Sequence, residues 1–361
     1  MRRQETSRAR HYAPGTHGIN RAFTVSCALL FAAVLGCSSG TQAPTGDATP
    51  QAPPKEGKRL TIGVMPKLVG IDYFNATEQG AREAAKELGV VVDFDGPVTN
   101  DVTQQAQLVE TWITKKYDAI CVAPNDPSAI SVVLKRARNA GIPVLTWDAD
   151  ALPEARDFFV NQASPEAIAR ILMDTMAEAV GPTARYVIIT GSLTAANQNI
   201  WMEHMERYRR EKYPNMVNLS PTPKASEEDQ ALATQVVIDC LKAYPDLQGI
   251  FAITAVAFPG AAEALRKTNT YDKVFLTGLA TPNSMREYIK SGVVRKDILW
   301  NPVDLGYLTV YAAVAAARGE LKPTQTEFTA GRLGTVKIKD REILLGEPLI
   351  FDKDNIDQYN F

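Results

Sequence analysis

The chain has 361 residues, 45% of them hydrophobic and 22% charged, which fits a two-domain soluble globular protein and excludes a disordered or fibrous one. A net charge of −2 argues against a general nucleic-acid binder, which needs a strong basic excess. Of three histidines, only His204 follows the N-terminal stretch, leaving little room for a His-rich metal centre or for most triad catalysis.

Residues 1–36 read as a secretory signal. Arg2, Arg3, Arg8, Arg10 and Arg21 face the single acid Glu5, and an apolar run from Phe23 leads to Val34-Leu35-Gly36-Cys37. That run is too short for a membrane span, which takes ~20 residues. The ending has the form of a bacterial lipobox, so Cys37 is expected to carry a lipid and become the mature N-terminus. Removing five arginines and one glutamate with residues 1–36 moves the net charge from −2 to −6. Residues 37–58 are Ser, Thr, Gly, Ala, Pro and Gln with scarcely a large apolar residue, and they read as a flexible tether. Cys121 and Cys240 each sit in an apolar pattern and read as buried, unpaired thiols.

From Arg59 the period alternates between short β-rich runs and helical patterns. Strands are expected at 60–65, 90–94, 119–123, 144–147 and 158–160, with helices at 74–88, 102–115 and 129–140. A second series follows, with helices at 165–180, 199–213, 227–243, 260–267 and 284–291. Its strands are expected at 185–190, 217–219, 249–253, 274–277 and 297–299, and a last helix covers 305–318. Strand–helix alternation implies parallel sheets with helices on both faces. The predicted fold class is therefore α/β, with two doubly wound parallel-sheet lobes joined by a hinge. The first lobe is assigned 59–161 plus 302–330, the second 162–301 plus 331–361.

In open parallel sheets, ligands bind beyond the carboxyl ends of the strands. Here those ends carry Lys67, Asn125-Asp126, Asp148, Gly191–Gln198, Thr254-Ala255, Leu279–Pro282 and Trp300-Asn301. Carboxylate, amide and ammonium groups beside tryptophan suit a small polyhydroxylated ligand. No GxGxxG or P-loop follows any strand, which argues against a nucleotide. Tyr73 and Phe74 open a helix at the cleft rim, where they either stack on a ligand or staple the helix. Trp201 reads as core packing more than stacking. His204 reads as a surface histidine, and Arg207, Arg209, Arg210 and Lys212 as a solvated helix face.

Several of these segments resemble the periplasmic autoinducer-2-binding proteins. They are Met65-Pro-Lys-Leu-Val-Gly, Leu145-Thr-Trp-Asp-Ala-Asp, Asn161-Gln162, Gln198-Asn199-Ile-Trp201, Ala280-Thr-Pro-Asn283 and the ending from Ile350 to Phe361. Leu299-Trp-Asn-Pro-Val-Asp-Leu-Gly-Tyr307 is at least as similar to rhamnose-transport binding proteins, within the type I, ribose-binding-like superfamily. The resemblance implies two lobes with three chain crossings that close on a sugar-like ligand and deliver it to an ABC transporter permease. Together with the lipobox-like ending and the charge balance, the expectation is a lipid-anchored monomer of the periplasm or cell envelope, with no catalysis, cofactor, metal or nucleic-acid partner. Carried over by position, the ligand site takes Lys67 and Asp148, both matching. Asn197-Gln198 stands where that family has Asp-Gln, and Ile253-Thr254-Ala255 where it has Pro-x-Ala. These departures favour a deoxy-sugar or pentose over autoinducer-2. The expected ligand-binding set is Lys67, Tyr73, Phe74, Asp148, Asn197, Gln198, Ala255 and Trp300. The competing readings are a signalling receptor subunit, an enzyme using the same cleft, and a repressor's sensor domain, although an export signal stands where a repressor would carry its helix-turn-helix.

Overall fold

The computed structural model describes residues 59–361; the expected signal peptide, the Cys37 lipidation site and the tether lie outside the described residues. The first run is β1 (Thr61–Met65), α1 (Asp72–Leu88), β2 (Val91–Phe94), α2 (Val102–Thr114), β3 (Ala119–Val122), α3 (Pro127–Asn139), β4 (Val144–Trp147) and β5 (Phe158–Asn161). The second is α4 (Pro165–Val180), β6 (Arg185–Thr190), α5 (Ala196–Lys212), β7 (Val217–Asn218), β8 (Lys224–Ala225), α6 (Gln230–Ala243), β9 (Gly249–Ala252), α7 (Ala257–Thr268), β10 (Phe275–Gly278), α8 (Pro282–Lys290) and β11 (Asp297–Leu299). The chain ends with α9 (Pro302–Ala317), β12 (Glu327–Thr329), β13 (Thr335–Lys339), β14 (Glu342–Leu344) and β15 (Leu349–Phe351).

Two mainly parallel sheets result, one per lobe, beside a two-stranded antiparallel pair of β11 and β15. The first runs β2-β1-β3-β4-β5 and is extended by β14, β13 and β12; the second runs β7-β6-β9-β10, with β8 also pairing β6. The central strands β3, β4, β5 and β9 are buried along their whole length, as near-continuous apolar strands covered by helices on both faces must be. Helix starts are set by side chains: Asp101 caps α2, Asp126 caps α3 and Asn301 caps α9. Cys121 and Cys240 are buried and free.

Helix α9 packs on α1 and on the first sheet. The two helices touch backbone to backbone: a methyl on Gly80 would lie 1.7 Å from the Val303 carbonyl oxygen, and one on Gly306 1.9 Å from that of Thr77. Only glycine permits that approach.

The C-terminal stretch corrects the sequence-based partition. Residues 331–361 were assigned as a whole to the second lobe, yet β14 pairs in parallel with β5 and β13 pairs with β14, so residues 335–344 complete the first sheet. Only β15 crosses back, antiparallel to β11. The physical reason is an open edge: β5 ends the βαβ series with unpaired backbone groups, and a late hairpin covers them. The chain therefore passes between lobes after β5, after β11 and after β14. The first and third crossings are tied by the Leu345 N–H donating to the Asn161 carbonyl at 2.9 Å.

Candidate functional site

The carboxyl ends of the two sheets face each other across a cleft, and all eight expected residues line one cavity there, together with Leu68, Ile71, Trp201, Glu228, Ile253, Thr254, Leu279 and Leu299. From the first lobe come Lys67 after β1, Tyr73 and Phe74 in the first turn of α1, and Asp148 after β4. The second lobe supplies Asn197 and Gln198 at the start of α5, and Ala255 after β9. Trp300 stands at the crossing into α9. All but Ala255, which is half-buried, are buried.

A polar network joins the walls. Lys67 Nζ donates to Asn197 Oδ1 at 2.8 Å and lies 3.7 Å from Asp148 Oδ2. Tyr73 donates its hydroxyl to Asp148 Oδ1 at 2.7 Å and accepts from Trp300 Nε1 at 2.8 Å. Thr194 Oγ1 reaches the Asn125 carbonyl at 3.3 Å, a second contact across the cleft. Because Lys67 and Asn197 span it, the cavity holds about 50 Å³, well below the roughly 300–1,000 Å³ of small-molecule pockets. These side chains must exchange partners before a ring can enter.

Burial governs the electrostatics. Desolvation raises the Asp148 carboxyl above its ordinary pKa, with Lys67 and the Tyr73 hydroxyl pulling it back. It also raises the Tyr73 phenol well above its ordinary value, and the neighbouring Asp148 charge adds to that. Asp148 itself has φ 62°, a left-handed conformation that aspartate tolerates better than most residues. A turn-forming role belongs to Asp150, which accepts from Thr146 Oγ1 at 2.5 Å and Ala151 N at 2.9 Å and pairs with Arg156.

Buttressing comes from behind. Gln105, fully buried on α2, donates to the carbonyls of Pro66 (3.2 Å) and Ala123 (2.8 Å) and accepts from Asn125 N (2.9 Å). Asn125 in turn donates to the Lys67 carbonyl at 3.0 Å, so it braces the Lys67 loop while Asp126 only caps α3. Gln198 Oε1 accepts from Gly191 N at 2.7 Å and Thr190 Oγ1 at 2.5 Å. Ala195 holds the N-cap position of α5 with no side-chain bond of its own, and Asn197 Oδ1 accepts from the first-turn N–H of Gln198 at 3.0 Å as well as from Lys67.

Aromatic rings close the sides. Phe74 meets Trp147 edge-on at 5.7 Å and Tyr73 at 5.0 Å, while Trp201 leans on Trp300 at 5.8 Å. Trp201 thus both packs and lines the cavity. His204 is half-buried beside Glu166 and Arg207 on α5, outside the cavity lining.

Sequence reading missed Glu228. Ser226-Glu227-Glu228-Asp229 reads as the acidic first turn of a helix, which favours negative charge there. Instead α6 starts at Gln230 with Asp229 as its cap, and Glu227 and Glu228 take φ of 50° and 54°. The missed signal is β8, whose pairing of Lys224 and Ala225 with Ile189 and Thr190 delivers residues 226–228 to the carboxyl end of the second sheet. Glu228 there accepts from Thr254 Oγ1 at 2.5 Å and from Gln198 Nε2 at 3.4 Å. Desolvation raises its carboxyl pKa, and Thr254 and Lys67 oppose that shift.

Comparison with known proteins places this geometry. The periplasmic binding protein domain family matches residues 62–321. A sugar ABC transporter structure from Actinomyces odontolyticus is 32% identical with a TM-score of 0.68, covering 84% of this chain and 98% of that one. LsrB from Clostridium saccharobutylicum, solved with AI-2, gives a TM-score of 0.80 at 28% identity over 84% of this chain and all of that one (100%). A solute-binding protein from Clostridium phytofermentas with bound L-rhamnose gives 0.79 at 28% identity, over 83% and 98%. In sequence, the ribose import binding protein RbsB of Bacillus subtilis is 24% identical over 265 residues, which is 71% of this chain and 81% of that one.

Proposed function

Since the chain belongs to the periplasmic binding protein family, we propose that it captures a monosaccharide-like ligand and delivers it to an ABC importer. The ligand is rhamnose, a related sugar or autoinducer-2, and the protein works from the cell envelope as a monomer anchored by a lipid on Cys37. One observation carries the reading: residues from both lobes converge on a single cavity, with Lys67 of one bonded to Asn197 of the other. The proteins solved with AI-2 and with L-rhamnose share this two-lobed fold over more than four-fifths of the chain.

The mechanism is domain closure. A ligand that contacts both walls binds the closed arrangement better than the open one, and that difference shifts the equilibrium. Lys67 then exchanges Asn197 for a ligand hydroxyl, Asp148 Oδ2 accepts another, and Phe74, Trp201 and Trp300 cover the C–H surface. The closed outer surface is what a permease recognises.

A thermal-shift screen of the purified protein against L-rhamnose, D-ribose, D-arabinose and autoinducer-2 tests this. A ligand at a hundredfold excess over Kd stabilises the fold by ~2.7 kcal/mol. No stabilisation by any of the four removes the reading.

A further inference from the structure

We propose that Glu228 is a specificity-determining residue of the cleft, accepting hydroxyl hydrogens of a neutral polyhydroxylated ligand and, with Asp148 on the facing wall, excluding uronates and sugar phosphates. The inference rests on the reading that the cleft takes a sugar and adds the charge class that it admits.

Three observations carry it. The first is the backbone. Two consecutive non-glycine residues, Glu227 and Glu228, hold left-handed φ values, an arrangement that costs of order 1–2 kcal/mol per residue and clusters at ligand sites. It is fixed on both sides, by the Ser226 N–H on the Thr190 carbonyl at 2.8 Å and by Asp229 accepting from Leu232 N at 2.8 Å.

The second is the seat of the side chain. A methyl added to Gly191 would lie 1.8 Å from Glu228 Oε1, so the carboxyl rests where only a glycine leaves room. Thr254 and Gln198 each give it one hydrogen bond. A carboxylate offers about four lone-pair sites, so capacity remains for ligand hydroxyls.

The third is the charge balance. Among the cavity-lining residues, Lys67, Asp148 and Glu228 alone carry charge, and the single ammonium already lies beside Asp148. An anionic ligand would meet one engaged cation and two carboxyls in a desolvated space, where like charges repel strongly. A neutral polyol meets acceptors on both walls.

Isothermal titration of the purified full-length protein, its Glu228→Gln variant and its Gly191→Ala variant tests this, using L-rhamnose and D-ribose against D-galacturonate and ribose 5-phosphate. The wild type is expected to bind a neutral sugar and neither anion. Glu228→Gln should weaken that sugar by at least about tenfold and narrow the gap between neutral and anionic probes. Gly191→Ala, which displaces the carboxyl without removing it, should act in the same direction and carries the test if Glu228→Gln fails to fold. An unchanged neutral affinity and an unchanged gap in the variants overturn the role of Glu228 and leave sugar binding standing. Tight wild-type binding of an anion overturns the charge selection alone. No binding of any probe by the wild type overturns the sugar reading, and the role of Glu228 with it.

Discussion

Trp300 donates its indole N–H to the hydroxyl of Tyr73 at 2.8 Å, so a residue at a crossing between lobes touches the first turn of α1. The same hydroxyl donates to Asp148 Oδ1 at 2.7 Å. One acceptor oxygen of Asp148 is thereby occupied, and Oδ2, facing Lys67 and Asn197, is the one turned to the cleft.

Asp148→Asn therefore separates binding from folding. Asparagine tolerates the left-handed backbone at 148 and can still accept from Tyr73, but it loses the charge paired with Lys67. L-rhamnose affinity should fall at least about tenfold with a small change in the melting temperature of the ligand-free protein. Asp148→Ala should lose affinity too and also destabilise the fold by a further ~1 kcal/mol, because alanine pays the left-handed cost. Calorimetry and melting of both variants check this, and unaltered affinity in Asp148→Asn removes the residue from the site.

The contact between α1 and α9 makes a stability prediction. Gly80→Ala places a methyl 1.7 Å from a helix carbonyl, which the backbone cannot absorb, and should cost about 2–3 kcal/mol. Gly89→Ala meets open space at φ 67° and should cost only ~1–2 kcal/mol from backbone conformation. Urea unfolding of the two variants ranks them, and equal losses would mean that α1 and α9 slide apart easily.

Asp297 makes stability depend on pH. It is fully buried at the start of β11; its Oδ1 accepts from Ala280 N at 3.2 Å, and its Oδ2 has no hydrogen-bond partner among the described residues. Desolvation pushes its carboxyl well above the usual range. The folded state thus holds this proton more tightly than the unfolded one. Stability is gained as pH falls through the raised folded pKa toward the unfolded value of ~3.9, and is lost as pH rises across that window. Asp297→Asn removes the titration, so the variant's stability relative to wild type should climb with pH. Asp148 and Glu228 shift in the same direction but are common to both proteins. A stability difference that is flat with pH contradicts the assignment.

Much of this was legible in the sequence because periodicity switches cleanly between strand and helix from Leu60 to Arg318, and because the strand-end rule needs only the order of elements. That rule reaches Lys67, Asp148, Trp300 and the stretch Gly191–Gln198, and the resemblance narrows the stretch to Asn197 and Gln198. The C-terminal hairpin was not legible. Its strands β12 and β14 have three residues each, too few to show alternation, and the partner of β14 lies some 180 residues earlier, as the Asn161–Glu342 bond shows. Glu228 was hidden for a different reason. An acidic pair before an apolar helix has an ordinary local explanation, and only the pairing of β8 with β6 reveals that the pair sits at the cleft.

Cys37→Ser tests the anchor. On the proposed reading, the Val34-Leu35-Gly36-Cys37 ending marks the Cys37 thiol for acylation, and a single substitution should move the protein from the membrane fraction to the soluble one. Fractionation followed by immunodetection reads this directly; retention of the variant in membranes rules out a lipid on Cys37.

Ligand preference is the sharpest test of the second-lobe wall. Asn197 Oδ1 accepts from Lys67 Nζ, and its Nδ2 turns toward Asp148 Oδ2 at 3.5 Å, so it presents a donor that the aspartate of the autoinducer-2-binding pattern lacks. Ile253 restores a backbone N–H where that pattern has proline, but this N–H is used within the second lobe, donating to the Ile189 carbonyl at 2.9 Å. Its contribution to the cleft is therefore shape: a buried branched side chain in the lining. A donor at 197 suits a ring hydroxyl or ring oxygen, and the apolar wall of Ile253, Leu279 and Leu299 suits the methyl of a deoxy-sugar. L-rhamnose should bind at least tenfold tighter than autoinducer-2, a gap of ~1.4 kcal/mol. Asn197→Asp should narrow that gap, since it replaces the donor with a carboxylate facing Asp148. Titration of both proteins with both ligands decides it: equal affinities in the wild type, or a preference for autoinducer-2, would show that the departures from that pattern at 197 and 253 do not set the preference.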